Sequence, residues 1–193
     1  MTTALLVLAA GRSSRLGRPK QLLPFRGRPL LEAVLAVARA CAADQRVVAL
    51  GGSADDIRAV VDLDGFEVVV NPVYGTGCSS SIAAAVPGLA PGTDVVVLLL
   101  GDQPGVTTDA VQRLLDGRGD APLAVCNYDD GIGHPFAFGR EVLPDLARLH
   151  GDKAVWKLLE QRAADVVKVN VPGSIPLDVD TQEDYERLLS STA

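Results

Sequence analysis

The sequence predicts an α/β fold: a three-layer α/β/α sandwich around a mostly parallel, Rossmann-like sheet. Three observations carry that expectation. Short β-branched runs alternate with Ala- and Leu-rich amphipathic stretches, which is the rhythm of right-handed βαβ units. The runs Leu5–Leu8 and Val95–Leu100 are apolar without a break, as in central strands buried on both faces. Glycine and charge gather directly after strands, where open α/β sheets bind their ligands.

Taken in order, strands are expected at Ala4–Ala9, Val47–Leu50, Glu67–Val70, Val95–Leu100, Leu123–Cys126, Pro135–Phe138 and Val166–Val169. Helices are expected at Pro29–Cys41, Ala54–Val61, Ser79–Val86, Thr108–Asp116, Arg140–Leu149, Asp152–Gln161 and Gln182–Leu189. The alternation weakens between Asp116 and Pro135, which predicts a partly antiparallel extension of the same sheet. With 193 residues, one domain is expected at about 150 residues per domain.

Composition excludes several classes. Apolar residues make up 48% and charged residues 22%, with 19 glycines and 12 prolines, so the chain is neither disordered nor fibrous. A net charge of −6 supplies no overall positive field to collect phosphates, so a bulk-basic nucleic-acid binder is not expected. No apolar run approaches the roughly 20 residues that span a bilayer. Met1-Thr2-Thr3 leads straight into a strand pattern rather than a secretory signal. Cys41, Cys78 and Cys126 are far apart and show no CxxC or Cys/His ligand spacing. A reduced, cytoplasmic compartment without structural zinc is expected.

The stretch from Leu8 to Lys20 is the most informative. A buried strand ends in Ala9, Ala10 and Gly11, and Arg12, Arg15, Arg18 and Lys20 follow within a short loop. Small residues let backbone N–H groups approach an anion closely, and cations complete its neutralisation. In an acidic protein such a cluster repels itself unless something negative sits there, and a polyphosphate is the obvious candidate. The spacing fits neither the Walker A loop nor GxGxxG, and a solvated basic loop is the alternative.

Acidic residues follow the same logic. Asp102 lies just past the second apolar strand, either as a turn or helix-cap residue or as a ligand for Mg²⁺, which takes one or two carboxylates plus substrate phosphate oxygens. Asp178-Val179-Asp180 is an extended Asp-x-Asp whose carboxylates share a face. Thr181, Glu183 and Asp184 also read as a helix start, so capping is the competing role for Asp180. In Asn71–Ser81, the serines 79 to 81 either cap the next helix or join backbone groups in reading a base edge. His134 stands among glycines at a strand start. Trp156, at helical spacing from Leu159, is expected in the core rather than as a stacking platform.

LAAGRSSRLGRPKQLLP, from Leu8 to Pro24, resembles the signature LAAGxSxRMGxxKxLLP of the GT-A-like nucleotidyltransferases, with Leu16 in the Met position. The sequences GDQP at Gly101–Pro104, DVDTQED at Asp178–Asp184 and GHPFAFGR at Gly133–Arg140 resemble the molybdenum cofactor cytidylyltransferases, a MocA-like family. GDKA at Gly151–Ala154 is similar to that family's GD[KR]G element, with Ala154 where Gly is often found. The resemblance runs from Ala4 to Leu188.

It implies a nucleotidyltransferase sheet, with a nucleotide half at about 1–115 and an acceptor half at about 116–193. Ala9, Ala10, Gly11, Arg12 and Ser13 would hold the nucleotide, Arg15 the outer phosphates, and Lys20 the charge developing at the α-phosphate. Gly75, Ser79 and Ser80 would contact base and ribose. His134 and Lys153 would contact the acceptor. Asp102 and Asp180, then Asp178, would hold Mg²⁺, with Mn²⁺ also suited to these oxygens. The implied reaction transfers CMP from CTP to molybdenum-molybdopterin, giving molybdopterin cytosine dinucleotide and pyrophosphate, with delivery of the product to a molybdenum hydroxylase. Alternatives are the same chemistry with GTP, another phosphorylated acceptor, or a non-catalytic cofactor carrier. A nicotinamide-dependent dehydrogenase lacks its fingerprint here.

Overall fold

A computed structural model describes residues 1–151 and 153–191. Strand β1 (Thr3–Ala9) leads through the basic loop into a small hairpin, β2 (Pro24–Phe25) and β3 (Arg28–Pro29). Helix α1 (Leu30–Ala40), β4 (Gln45–Leu50), α2 (Ala54–Val60), β5 (Glu67–Val70), α3 (Cys78–Ala85) and β6 (Val95–Leu100) follow. The chain continues with α4 (Thr108–Arg118), β7 (Leu123–Tyr128), β8 (Gly131–Gly139), α5 (Leu143–Leu146), α6 (Ala154–Gln161), β9 (Val166–Asn170) and α7 (Gln182–Ser190).

One seven-stranded sheet runs in the order β5-β4-β1-β6-β8-β7-β9. Strand β8 is antiparallel to β6 and β7, and the other pairs are parallel. The expected antiparallel extension is therefore β8 inserted between two strands of the opposite sense.

Alternation along the strands builds the layers. Leu5 and Val7 of β1, with Val95, Val97 and Leu99 of β6, pack against α1, α2 and α4. Ala4, Leu6, Val96 and Leu98 face the other way, against α3, α5 and α6. A third, smaller core joins Leu23, Phe25 and Leu30 to Val179, Tyr185 and Leu188, and the Tyr185 hydroxyl donates to the Pro24 carbonyl. This clasp fixes the stretch preceding α7.

Three expectations change. The helix expected at Arg140–Leu149 is a 3-10 turn, Arg140–Val142, followed by the four-residue α5. Pro144 has no N–H and its ring would meet the carbonyl four residues back, so a helix begun at Arg140 cannot run through it. Strand β8 starts at Gly131 rather than Pro135, because Ile132 and Gly133 pair with Asn127 and Cys126. Asp152, the expected start of the next helix, lies outside the described residues, and α6 begins at Ala154. Among the described residues, no helix is long and apolar enough to cross a membrane.

Gly117 sits in α4 against β9. Gly to Ala inside a helix ordinarily stabilises by roughly 1 kcal/mol. Here a Cβ would stand 2.7 Å from Val169 Cγ1 and 2.9 Å from Cγ2, and a β-branched side chain cannot swing aside. Gly117→Ala is expected to lower stability by about 1–2 kcal/mol, read as a lower urea midpoint. A higher midpoint would show that β9 yields.

Candidate functional site

Strand β1 has β4 on one side and β6 on the other, so the connections reverse between β1 and β6, and their carboxyl ends face a crevice. The two ends are close: Gly101 N–H donates to the Leu8 carbonyl at 2.8 Å. A Cβ on Gly101 would lie 2.9 Å from that oxygen and 3.0 Å from Ala9 Cβ, which is why glycine ends β6. A cavity of about 630 Å³ opens over these ends and over the start of β8.

The basic loop is framed from within. Ser13 takes φ +52°, and its carbonyl accepts from Leu16 N–H at 3.0 Å and Gly17 N–H at 3.2 Å. Its Oγ accepts from Lys20 N–H at 2.9 Å. Buried Gln21 donates from Nε2 to the carbonyls of Ala9 at 2.7 Å and Gly11 at 3.3 Å. Ala9, Ala10, Gly11 and Arg12 line the cavity, while Ser13 serves the frame.

Lys20 is the centre of the charge arrangement. Its Nζ donates to Asp102 and, at 2.7 Å, to Asp180 Oδ1. Arg15 Nη2 donates to the other oxygen of Asp180 at 2.8 Å. Burial alone lowers the Lys20 pKa, but the charges and hydrogen bonds of Asp102 and Asp180 outweigh it and hold the value raised. Burial likewise pushes Asp180 up, and Lys20 with Arg15 brings it below the usual carboxylate range.

Neither acid is a helix cap. Thr107 caps α4 by accepting from Ala110 N–H at 3.1 Å. Thr181 and Asp184 form a capping box on α7, which leaves Asp180 free to point at the loop. Val179 N–H donates to the Asp102 carbonyl at 3.1 Å and sets the two stretches side by side. Asp178 lines the cavity with Asp102, and its Oδ1 accepts from buried Gln103 at 2.9 Å. Its pKa is pushed up to about 6, first by burial and then by the charge of Asp102.

On the β5 and α3 side, the Arg12 guanidinium stands 5.6 Å over the Tyr74 ring. Tyr74 rests on Gly51 and Gly52, and Gly75 leaves room for Arg12, since a Cβ at Gly52 or Gly75 would overlap those side chains. Helix α3 is preceded by Gly77 and has no side-chain cap. Ser79 is fully buried, and Ser80 accepts from Asn71 Nδ2 at 2.8 Å and donates to the Gly77 carbonyl at 2.7 Å. The cavity-facing residues of this loop are Tyr74, Gly75, Gly77, Cys78 and Ser81 rather than Ser79 and Ser80.

At the opposite end, His134 lines the cavity and stacks on Phe136, with ring centroids 4.0 Å apart. Burial lowers its pKa to about 3, so near neutral pH it offers a neutral imidazole, not a cation for a phosphate. Lys153 is exposed at the start of α6 and does not line the cavity. Trp156 departs from its expected core place. It is 40% exposed, borders the cavity and meets Phe136 edge-on at 5.2 Å. The buried stripe of α6 is Ala154, Val155, Leu158 and Leu159, and Trp156 lies off it.

The structure thus brings Arg15, Lys20, Asp102 and Asp180 together. Sequence reasoning missed Gln21, Gln103 and Tyr74. The signal for the two glutamines was an amide set directly beside a charged motif residue.

Comparison with known proteins adds four relationships. The family described as MobA-like NTP transferase domain matches residues 5–166. Nicotine blue oxidoreductase of Paenarthrobacter nicotinovorans is 31% identical, covering 95% of this chain and 95% of that protein. The crystal structure of a Mycobacterium tuberculosis Rv0371c homologue from Mycobacterium sp. strain JC1 superposes with a TM-score of 0.92 at 49% identity, over 98% of this chain and 96% of that one. That of Rv0371c from Mycobacterium tuberculosis H37Rv in complex with manganese gives 0.90 at 45% identity, over 99% and 100%.

His134 gives the site a pH signature. Its folded pKa lies below its ordinary value of 6.5, so the unfolded chain takes the proton first. The stability contributed by neutral His134 is complete above about pH 6.5 and is lost as the pH falls from there toward 3. Urea midpoints between about pH 7.5 and 4.5 should fall less steeply for His134→Gln than for the parent, by up to about 1.4 kcal/mol per pH unit. Equal slopes would sink the assignment.

Proposed function

The chain belongs to the MobA-like NTP transferase family, and we propose that it transfers CMP from CTP to the terminal phosphate of molybdenum-bearing molybdopterin. The observation that carries this reading is the convergence of Arg15, Lys20, Asp102 and Asp180 beneath a loop that offers Ala9, Ala10, Gly11 and Arg12 to the cavity. In the reaction a phosphate oxygen of the acceptor attacks the α-phosphorus. One P–O bond forms, the bond to the β-phosphate bridge breaks, and pyrophosphate leaves. The acceptor is already anionic, so the chain need not supply a base, and neutral His134 is consistent with that. Transfer of this kind rests on positioning and charge neutralisation. Lys20 supplies charge at the α-phosphate, Arg15 at the outer phosphates, and the backbone around Gly11 holds the nucleotide. Gly75 and its neighbours Gly77, Cys78 and Ser81, which line the cavity, would meet base and ribose.

The residues present fit a divalent cation. Asp102 and Asp180 direct oxygens at one cationic point, that of Lys20 Nζ, and hard oxygen donors suit Mg²⁺ or Mn²⁺. The manganese complex of a 45% identical protein supports the assignment. Asp102 and Asp180 would hold the ion, with Asp178, which lines the cavity and accepts from Gln103, beside Asp102. When bound, it would neutralise charge on the triphosphate and its leaving group. Small molecules are the proposed partners, with the product passed to a molybdenum hydroxylase in the cytoplasm. The same arrangement would serve GTP or another phosphorylated acceptor. A second reading comes from the relative named nicotine blue oxidoreductase: redox turnover of a substrate in the same cavity.

The deciding assay measures pyrophosphate release with freshly liberated molybdenum cofactor, Mg²⁺ and each nucleoside triphosphate. Release with CTP alone is expected. Asp102→Ala and Lys20→Met, checked by thermal melts for folding, should each lower kcat by about 100-fold or more. Release with GTP instead overturns the base. No release, together with consumption of a reduced nicotinamide dinucleotide, overturns the transferase reading in favour of the redox one.

A further inference from the structure

We propose that Trp156 is the platform on which a planar heterocycle of the acceptor lies, with the His134 imidazole at the ring's edge. The proposal rests on the transferase reading above and assigns the acceptor's ring a place. Among the described residues, the large apolar side chains left exposed are Met1, Val60, Val70, Val73, Trp156 and Leu189. Of these, Trp156 alone borders the cavity. An indole left partly in water at a cavity wall is poorly explained by the core, because the neighbours of Trp156 on α6 already fill that stripe. Its indole continues the apolar lining of a cavity, the kind of wall against which ligand rings pack.

The indole also packs on a second ring. Phe136 is fully buried and meets it at 90°. The same Phe136 carries His134 on its face, at 28° between the ring planes. Three rings from β8 and α6 therefore form one contiguous aromatic group, and two of them reach the cavity. Leu98, Ile132, Val155 and Ile175 complete an apolar lining there, whereas the cations that handle phosphate sit at the β1 loop. Burial keeps His134 neutral, so this end offers hydrogen bonds to an uncharged ring edge and no charge to an anion. An indole face beside apolar walls favours a flat π-system over an aliphatic group of equal size. The phosphate of the acceptor then points toward Lys20 and Asp102, and its ring toward Trp156.

The test compares two phosphates by calorimetry, 6-hydroxymethylpterin monophosphate and glycerol 3-phosphate, on the full chain. The parent is expected to bind the pterin phosphate at least about tenfold more tightly, the scale of one aromatic stacking contact. Trp156→Ala should remove that margin and Trp156→Phe should keep most of it, while the Kd for CTP stays within about twofold in both. An unchanged margin in Trp156→Ala overturns the platform, as does a parent with no margin. In either case CTP binding by the parent leaves the transferase reading standing. A parent that binds no CTP overturns that reading, and the platform with it.

Discussion

The ammonium of Lys20 lies between two carboxylates that the chain supplies from distant places, one after β6 and one just before α7. A buried cation is tolerable only while it is paired. Without Asp102 it would retain only Asp180, which is partly exposed, at a cost on the order of 3 kcal/mol. The ends of β1 and β6 and the stretch before α7 are therefore held in register by charge as well as by apolar contact. The same arrangement explains how an acidic protein carries a dense basic loop. Arg15 and Lys20 are neutralised by the chain's own carboxylates, and Arg12 rests on an aromatic ring. Self-repulsion of the loop does not by itself require a bound polyphosphate.

The sheet changes character across the cavity. Strands β5, β4, β1 and β6 run parallel, and helix-covered crossovers place the Gly-rich turns at one edge of the sheet. Beyond β6 the antiparallel β8 brings its beginning, not its end, to the same edge. Ile132, Gly133 and His134 therefore face the loops that follow β1 and β6. One cavity thus has a polar end built from turns and an apolar end built from a strand and a helix.

Much of this was legible in the residues. The unbroken runs Leu5–Leu8 and Val95–Leu100 mark central strands, and they occupy adjacent places in the sheet. The basic loop also stood out by its density of charge after a buried strand, whereas GDQP, built of ordinary turn residues, stood out only through its family resemblance. Four features were not legible. The β2–β3 hairpin is too short to show alternation. Ser79 and Ser80 look like ligand-facing hydroxyls in sequence, yet the helix start at Cys78 turns them to the interior and to Asn71. Trp156 and Leu159 share helical spacing, but spacing alone does not say which stripe faces inward. The capping of α7 by Thr181 and Asp184 could not be told from capping by Asp180, because all three positions carry residues suited to the role.

The Lys20–Asp180 contact spans 160 residues of sequence, and that separation bears on biosynthesis. A ribosome adding about 5–20 residues per second makes Lys20 roughly 8–30 seconds before Asp180. Through that interval the nascent chain carries the basic loop without one of its two carboxylate partners, and the clasp of Tyr185 and Leu188 on the hairpin does not yet exist. The charged centre is thus completed among the last steps of maturation. Until then the basic loop of the growing chain lacks the countercharge that Asp180 brings to both Arg15 and Lys20.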